Sequence, residues 1–119
     1  MATFTKSILS GSTDGKQIKV AATATAGTLI HTGSTTPATL HEVWLYAVNT
    51  DSTDRKLTIE WGGVASPDDL IEYTVKAENG LYLIIPGLIL KGNATALNIR
   101  AFAATANVIC ISGYVNVIA

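Results

Sequence analysis

The segment Lys56-Leu57-Thr58-Ile59-Glu60-Trp61 alternates polar and apolar side chains with a period of two. Extended, it carries Leu57, Ile59 and Trp61 on one side and Lys56, Thr58 and Glu60 on the other. The same pattern recurs in three other places. Residues 69–77 oppose Ile71, Tyr73 and Val75 to Glu72, Thr74 and Lys76, and residues 96–103 oppose Leu97, Ile99 and Ala101 to Asn98, Arg100 and Phe102. Residues 108–118 oppose Ile109, Ile111, Val115 and Val117 to Cys110, Ser112, Tyr114 and Asn116. This last stretch runs almost to the final residue, which predicts a strand paired well inside a sheet. Helical periodicity is nearly absent, and Gly, Asn, Asp, Ser and Pro punctuate the chain at short intervals. The pattern predicts an all-β protein: a single antiparallel β-sandwich, jelly-roll-like, over residues 1–119.

Two stretches break the alternation. Trp44-Leu45-Tyr46-Ala47-Val48 and residues 81–90 are apolar on both faces, the second interrupted by Pro86-Gly87, which is expected to bend, bulge or split it. With the odd-numbered side of residues 43–47 toward the core, Trp44, Tyr46 and Val48 face out. Likewise Tyr82 and Ile84 oppose Leu81, Leu83 and Ile85, while Phe102 and Tyr114 oppose their strands' other apolar rows. A sheet domain of this size covers one face of each sheet. Aromatic side chains bury about 150–250 Å² each, so a few of them turned outward exceed the roughly 300–600 Å² patch that monomers carry. A self-associating structural or binding module is expected, with Trp44, Tyr46, Tyr82, Ile84 and Phe102 as candidate subunit-interface residues. The alternative is a sandwich whose long loops cover both faces.

The connections carry signals of their own. Residues 50–55, Thr-Asp-Ser-Thr-Asp-Arg, hold side chains that bond nearby backbone amides, and they predict an antiparallel hairpin between residues 40–49 and 56–61. Ser66-Pro67-Asp68-Asp69 has the marks of a helix start, compatible with a single helical turn. Residues 1–40 are rich in Ala, Thr, Gly and Ser, and residues 21–40 contain no charged side chain. Extended segments are predicted at 4–9, 17–22 and 28–31. This part reads either as core strands or as an extended, weakly packed arm over a neighbouring subunit.

Composition narrows the function classes. Charged residues are 14% of the 119, against about 25% in ordinary soluble domains, and the mean hydropathy is +0.34. The net charge is −1 and the eight Lys and Arg are scattered, so no basic stripe exists for nucleic acid. The longest apolar run falls well short of the roughly 20 residues that cross a bilayer, and no membrane partner is expected. The first ten residues lack a signal-peptide pattern, and synthesis in the cytosol is expected. Cys110 is the single cysteine, expected as a small buried hydrophobe.

Candidate chemistry is sparse. His31 and His41 match no metal-ligand spacing, and no serine sits in a nucleophile elbow. Asp51 and Asp54 lack the pattern of a calcium loop and read as turn formers. Asp68 and Asp69 are adjacent, pointing to opposite faces of a strand, which argues against a cooperating carboxylate pair. No catalytic, cofactor-binding or metal residue is assigned, and an enzyme is not expected. Trp44, Tyr46, Trp61, Tyr73, Tyr82 and Tyr114 are read as packing residues, with a sugar-stacking platform as the alternative.

Residues 14–22 (Asp-Gly-Lys-Gln-Ile-Lys-Val-Ala-Ala), 27–32 (Gly-Thr-Leu-Ile-His-Thr), 55–63 (Arg-Lys-Leu-Thr-Ile-Glu-Trp-Gly-Gly), 66–71 (Ser-Pro-Asp-Asp-Leu-Ile) and 113–117 (Gly-Tyr-Val-Asn-Val) together resemble the small β-sandwich virion proteins of tailed bacteriophages, head decoration or cement proteins among them. The resemblance is one of texture and covers most of the chain. It implies a protomer that trimerises or otherwise self-associates and binds the phage major capsid protein, clamping the outside of the head shell. It also implies a place in the virion after synthesis in the host cytoplasm. The competing expectations are a carbohydrate-binding module of a tail or fibre, using exposed aromatics with Asp68, Asp69 or Glu72, and another neck or tail component.

Overall fold

In the computed structural model, which describes residues 2–119, the regular structure among those residues is entirely β. Nine strands follow in order: β1 (Phe4–Ile8), β2 (Ile18–Lys19), β3 (Thr28–Thr32), β4 (Leu40–Asn49), β5 (Arg55–Trp61), β6 (Leu70–Val75), β7 (Tyr82–Lys91), β8 (Asn98–Ala103) and β9 (Ile109–Ile118). Their antiparallel pairs are nested, β1 with β9, β3 with β8, β4 with β7 and β5 with β6. Pairing of β4 with β9 and of β5 with β8 then joins them into two sheets. The first is ordered β1-β9-β4-β7, with β2 also on β9, and the second β3-β8-β5-β6. Nested pairs rolled into two facing sheets make a jelly-roll sandwich, as the alternation predicts.

Strand β4 shows why these residues take this form. His41, Val43, Leu45, Ala47 and Asn49 are buried, and the intervening Leu40, Glu42, Trp44, Tyr46 and Val48 are half-buried on the outer face. Ile109, Ile111 and Val115 of β9 join the inward row from the same sheet, and Leu57, Ile59, Ile99, Ala101 and Ala103 meet it from the other. Each fully buried Leu, Ile or Val contributes about 1.5–3 kcal/mol. β9 lies between β1 and β4, the interior position expected of the last strand.

The hairpin expected between β4 and β5 does not form, because the two strands belong to different sheets. Both edges of β4 are taken by β9 and β7, so residues 50–54 carry the chain across the sandwich instead. One bond is of the expected local kind, Asp51 Oδ1 accepting from the Ser52 N–H at 2.8 Å, whereas Asp54 Oδ1 accepts from the distant Ala77 N–H at 2.8 Å. A single helix-like turn does form before β6, where the Asp69 N–H donates to Ala65 O at 2.9 Å and the Leu70 N–H to Pro67 O at 3.2 Å.

Of the segment 1–40, the described residues 2–40 are built into both sheets. Leu9, Ile18, Val20 and Ile30 are buried in the core, while β1 runs along the margin with all five residues exposed. Gly113 is where β9 crosses closest to β4. A Cβ there would sit 1.9 Å from Trp44 O, at a φ of +156°.

Candidate interaction surface

Directly opposed residues of antiparallel strands share a face, so the register assigns the outer surface of the first sheet. From β4 and β9 it receives the pairs Leu40 and Ile118, Glu42 and Asn116, Trp44 and Tyr114, Tyr46 and Ser112, Val48 and Cys110. From β1 it receives Phe4, Lys6 and Ile8, and from β7 Leu83, Pro86, Ile89 and, at the strand's end, Lys91. The result is a mostly apolar face crossing four strands, with few polar groups in it.

Its centre is held rigid. The Trp44 and Tyr114 rings stack with centroids 6.0 Å apart and an interplanar angle of 13°, and the Lys6 ammonium lies 4.9 Å from the Tyr114 centroid, in cation–π range. Glu42 Oε1 accepts from Trp44 Nε1 at 2.9 Å and from Asn116 Nδ2 at 2.8 Å. The Asn116 and Trp44 donors hold the Glu42 carboxyl below its usual range. The indole is thereby fixed on the sheet. At the margins the apolar side chains are open: Phe4 is 71% exposed, and Leu81, Tyr82, Leu83, Leu88 and Ile89 are all exposed around β7.

The five interface candidates do not share one surface. Trp44 and Tyr46 lie outward on the first sheet, as the alternation predicts. Tyr82 and Ile84 do not follow the expected alternation of β7, because the register to β4 slips twice, between Val43 and Trp44 and between Leu45 and Tyr46. Each slip adds a residue to β7 and shifts which side chains face out. Tyr82 consequently sits opposite the inward-facing Ala47 and stacks on Tyr73 of β6, centroids 5.3 Å apart, at the seam between the sheets. Ile84 falls in a bulge and packs partly against the core, and Leu83 takes the outward place opposite Tyr46. Phe102 is half-buried opposite Thr58 on the outside of the second sheet, lining a groove of about 300 Å³ with Thr25, Glu60, Val64 and Leu70.

The groups of the sugar-binding expectation are likewise separated. Glu72 pairs with Lys56 at 2.8 Å on the second sheet, and Asp69 Oδ2 accepts from the Ala65 N–H at 3.1 Å in the turn before β6. Trp44, Tyr46 and Tyr114 are on the other sheet. Cys110 is half-buried on the outer face opposite Val48, not in the core, because its neighbours Ile109 and Ile111 take the inward positions.

Two buried polar features were not legible in the sequence. His31 of β3 and His41 of β4 meet inside the sandwich, Nε2 of the first 2.8 Å from Nδ1 of the second. Glu60, on the outward side of β5, is nonetheless fully buried. Residues 23–27 fold over it, with Thr25 Oγ1 donating to Oε2 at 2.5 Å and the Gly27 N–H to Oε1 at 2.7 Å. The inward parity of His41 on β4 was a signal for one ring of the pair, but His31 follows the buried Ile30 and faces inward only because the register of β3 shifts between Leu29 and His31; nothing local marked Glu60. Among the described residues no group of three or more His, Cys, Asp or Glu is placed to hold a metal ion. Comparison with protein-family models, with curated proteins and with solved structures found no match.

Proposed function

We propose that this chain is a self-associating structural protein of a bacteriophage virion, of the head-decoration kind, which adheres to the major capsid protein by burying the outer face of its first sheet. The observation that carries this reading is the apolar face of Leu40, Trp44, Tyr46, Val48, Tyr114 and Ile118, continued by exposed Phe4 and Ile8 at one margin and Leu83 and Ile89 at the other. Burying such surface is worth about 25 cal/mol per Å² before the costs of association are subtracted. Trp44 is already fixed by Glu42, so less side-chain freedom is lost on docking. The mechanism is passive adhesion.

Jelly rolls serve capsid and lectin domains alike, so the fold does not choose between the virion and sugar-binding readings. The surface favours the first, since Glu72 lies on the opposite sheet from the Trp44–Tyr114 stack, and Tyr73, next to Glu72 on β6, alternates to the other face of that strand, where it stacks on Tyr82. Co-sedimentation of the purified protein with emptied phage heads tests the proposal. Saturable, stoichiometric binding that is lost in Trp44→Lys is expected. Protein that stays in the supernatant at every concentration, or a Trp44→Lys variant that binds as well as the parent, would overturn it.

A further inference from the structure

β7 is a free edge. Among the described residues it pairs with β4 on one side and with no strand on the other. Leu81 is 59% exposed, Tyr82 44%, Leu83 39%, Leu88 43% and Ile89 44%, and no charged residue occurs from Leu81 to Leu90. Together these five side chains leave on the order of 450 Å² open, about the apolar share of the roughly 800 Å² that each partner buries in a stable interface.

The backbone of this edge is a poor template for another strand. Pro86 has no N–H to offer, and the two slips against β4 bend the strand, both of which are devices that discourage edge-to-edge pairing. A partner must therefore read the side chains.

The charges at the two ends indicate which partner. Glu78 lies in the turn before β7, its N–H donating to Asn49 O at the far end of β4, and its side chain is exposed. Lys91 is the last residue of the strand, opposite Leu40 at the other end of β4, and is also exposed. Neither takes part in an ion pair among the described residues. The neighbouring charges at the Glu78 end are matched, Arg55 with Asp51 and Lys76 with Asp54, and Glu42 near the Lys91 end is held by Trp44 and Asn116. An apolar strip with one unpaired negative end and one unpaired positive end is complementary to itself reversed. A two-fold axis across β7 would set Ile89 beside Leu81 and Leu88 beside Tyr82, and would bring each Lys91 toward the other copy's Glu78.

We propose that the β7 edge is a two-fold contact with a second copy of this chain. The proposal rests on the self-association reading above and locates it: Leu83 and Ile89, at the β7 margin of the outer face, go to the second copy, and Leu40, Trp44, Tyr46, Val48, Tyr114 and Ile118 are left for the shell. An isologous contact of this kind closes at two copies, whereas a trimer requires two different surfaces.

Sedimentation velocity of the full chain over a wide concentration range, at low salt, tests it with five proteins: the parent, Leu88→Lys, Glu78→Lys, Lys91→Glu and the double reversal Glu78→Lys/Lys91→Glu. Circular dichroism checks that each is folded, and all three substituted positions are exposed. The parent is expected to dimerise and Leu88→Lys to be monomeric. Each single reversal creates two like-charge contacts per dimer and is expected to weaken association roughly 5–30-fold, with the double reversal returning to within about 3-fold of the parent. A parent that is monomeric throughout overturns this proposal and self-association with it. An oligomer indifferent to Leu88→Lys leaves self-association standing and removes β7 from it. A trimer, or a double reversal as weak as the singles, overturns the two-fold arrangement.

Discussion

Acidification from pH 7.5 to 5 acts on the histidine pair between the two sheets. The Ser10 N–H donates to His31 Nδ1 at 3.0 Å, so the neutral His31 ring carries its proton on Nε2 and directs it at His41 Nδ1, 2.8 Å away. A second proton on His31 would point at the Ser10 N–H, and one on His41 Nδ1 would point at the His31 N–H. Burial, and secondarily repulsion from His41, lowers the His31 pKa from 6.5 to about 4, and burial lowers that of His41 as well. The side chains opposite them in the sheets are apolar, Leu90 and Val117 beside His41 and Ile99 beside His31.

Because the folded value lies below the unfolded one, the unfolded chain takes up the proton first. The stability that His31 contributes is complete above about pH 6.5, falls as the pH drops, and is fully lost below about pH 4. These values make the His31 loss about 2 kcal/mol between pH 7.5 and 5, out of the ~5–15 kcal/mol typical of a domain. His41 adds to it with the same sign. Glu42, Asp51 and Asp54 also have lowered values, but their unfolded references are 4.5, 3.8 and 3.8, so their losses belong mainly below about pH 5. Urea unfolding followed by the fluorescence of Trp44 and Trp61, at half-unit steps of pH, measures the effect. His31→Gln should be less stable at pH 7.5 yet show a flatter profile. A parent that loses less than about 0.5 kcal/mol over this range, or a His31→Gln protein with an unchanged slope, would refute the reasoning.

Two further substitutions test how the sheets are held. Glu60→Ala removes the acceptor of the Thr25 hydroxyl and of the buried Gly27 N–H, and is expected to cost about 2–3 kcal/mol in urea unfolding and to open residues 23–27 to proteolysis. A Glu60→Ala protein of parental stability and protease resistance would show that the cover over the second sheet does not depend on this carboxyl. Gly113→Ala would drive a Cβ into Trp44 O in the middle of the first sheet. A loss of about 3 kcal/mol or failure to fold is expected, and a thermal midpoint within 2 °C of the parent would contradict the close approach of β9 and β4.

Side-chain alternation is a local property, and it was legible in residues such as Leu57, Ile59, Ile99, Ile111 and Val115, whose inward positions were correct before any strand was paired. The all-β class, the outward direction of Trp44 and Tyr46, and the surplus of apolar surface follow from it. Pairing is not local. The position of β5 in the opposite sheet from β4, the double slip that turned Tyr82 onto Tyr73 and left Leu83 exposed, and the meeting of His31 with His41 all depend on which strands compete for the same edge. Glu60 is the sharpest case. Its polar side of β5 reads as solvated, and only the return of residues 23–27 across the second sheet removes water from its carboxyl. A period of two says which side of a ribbon a residue occupies, while what lies against that side is settled by contacts between residues far apart in the chain.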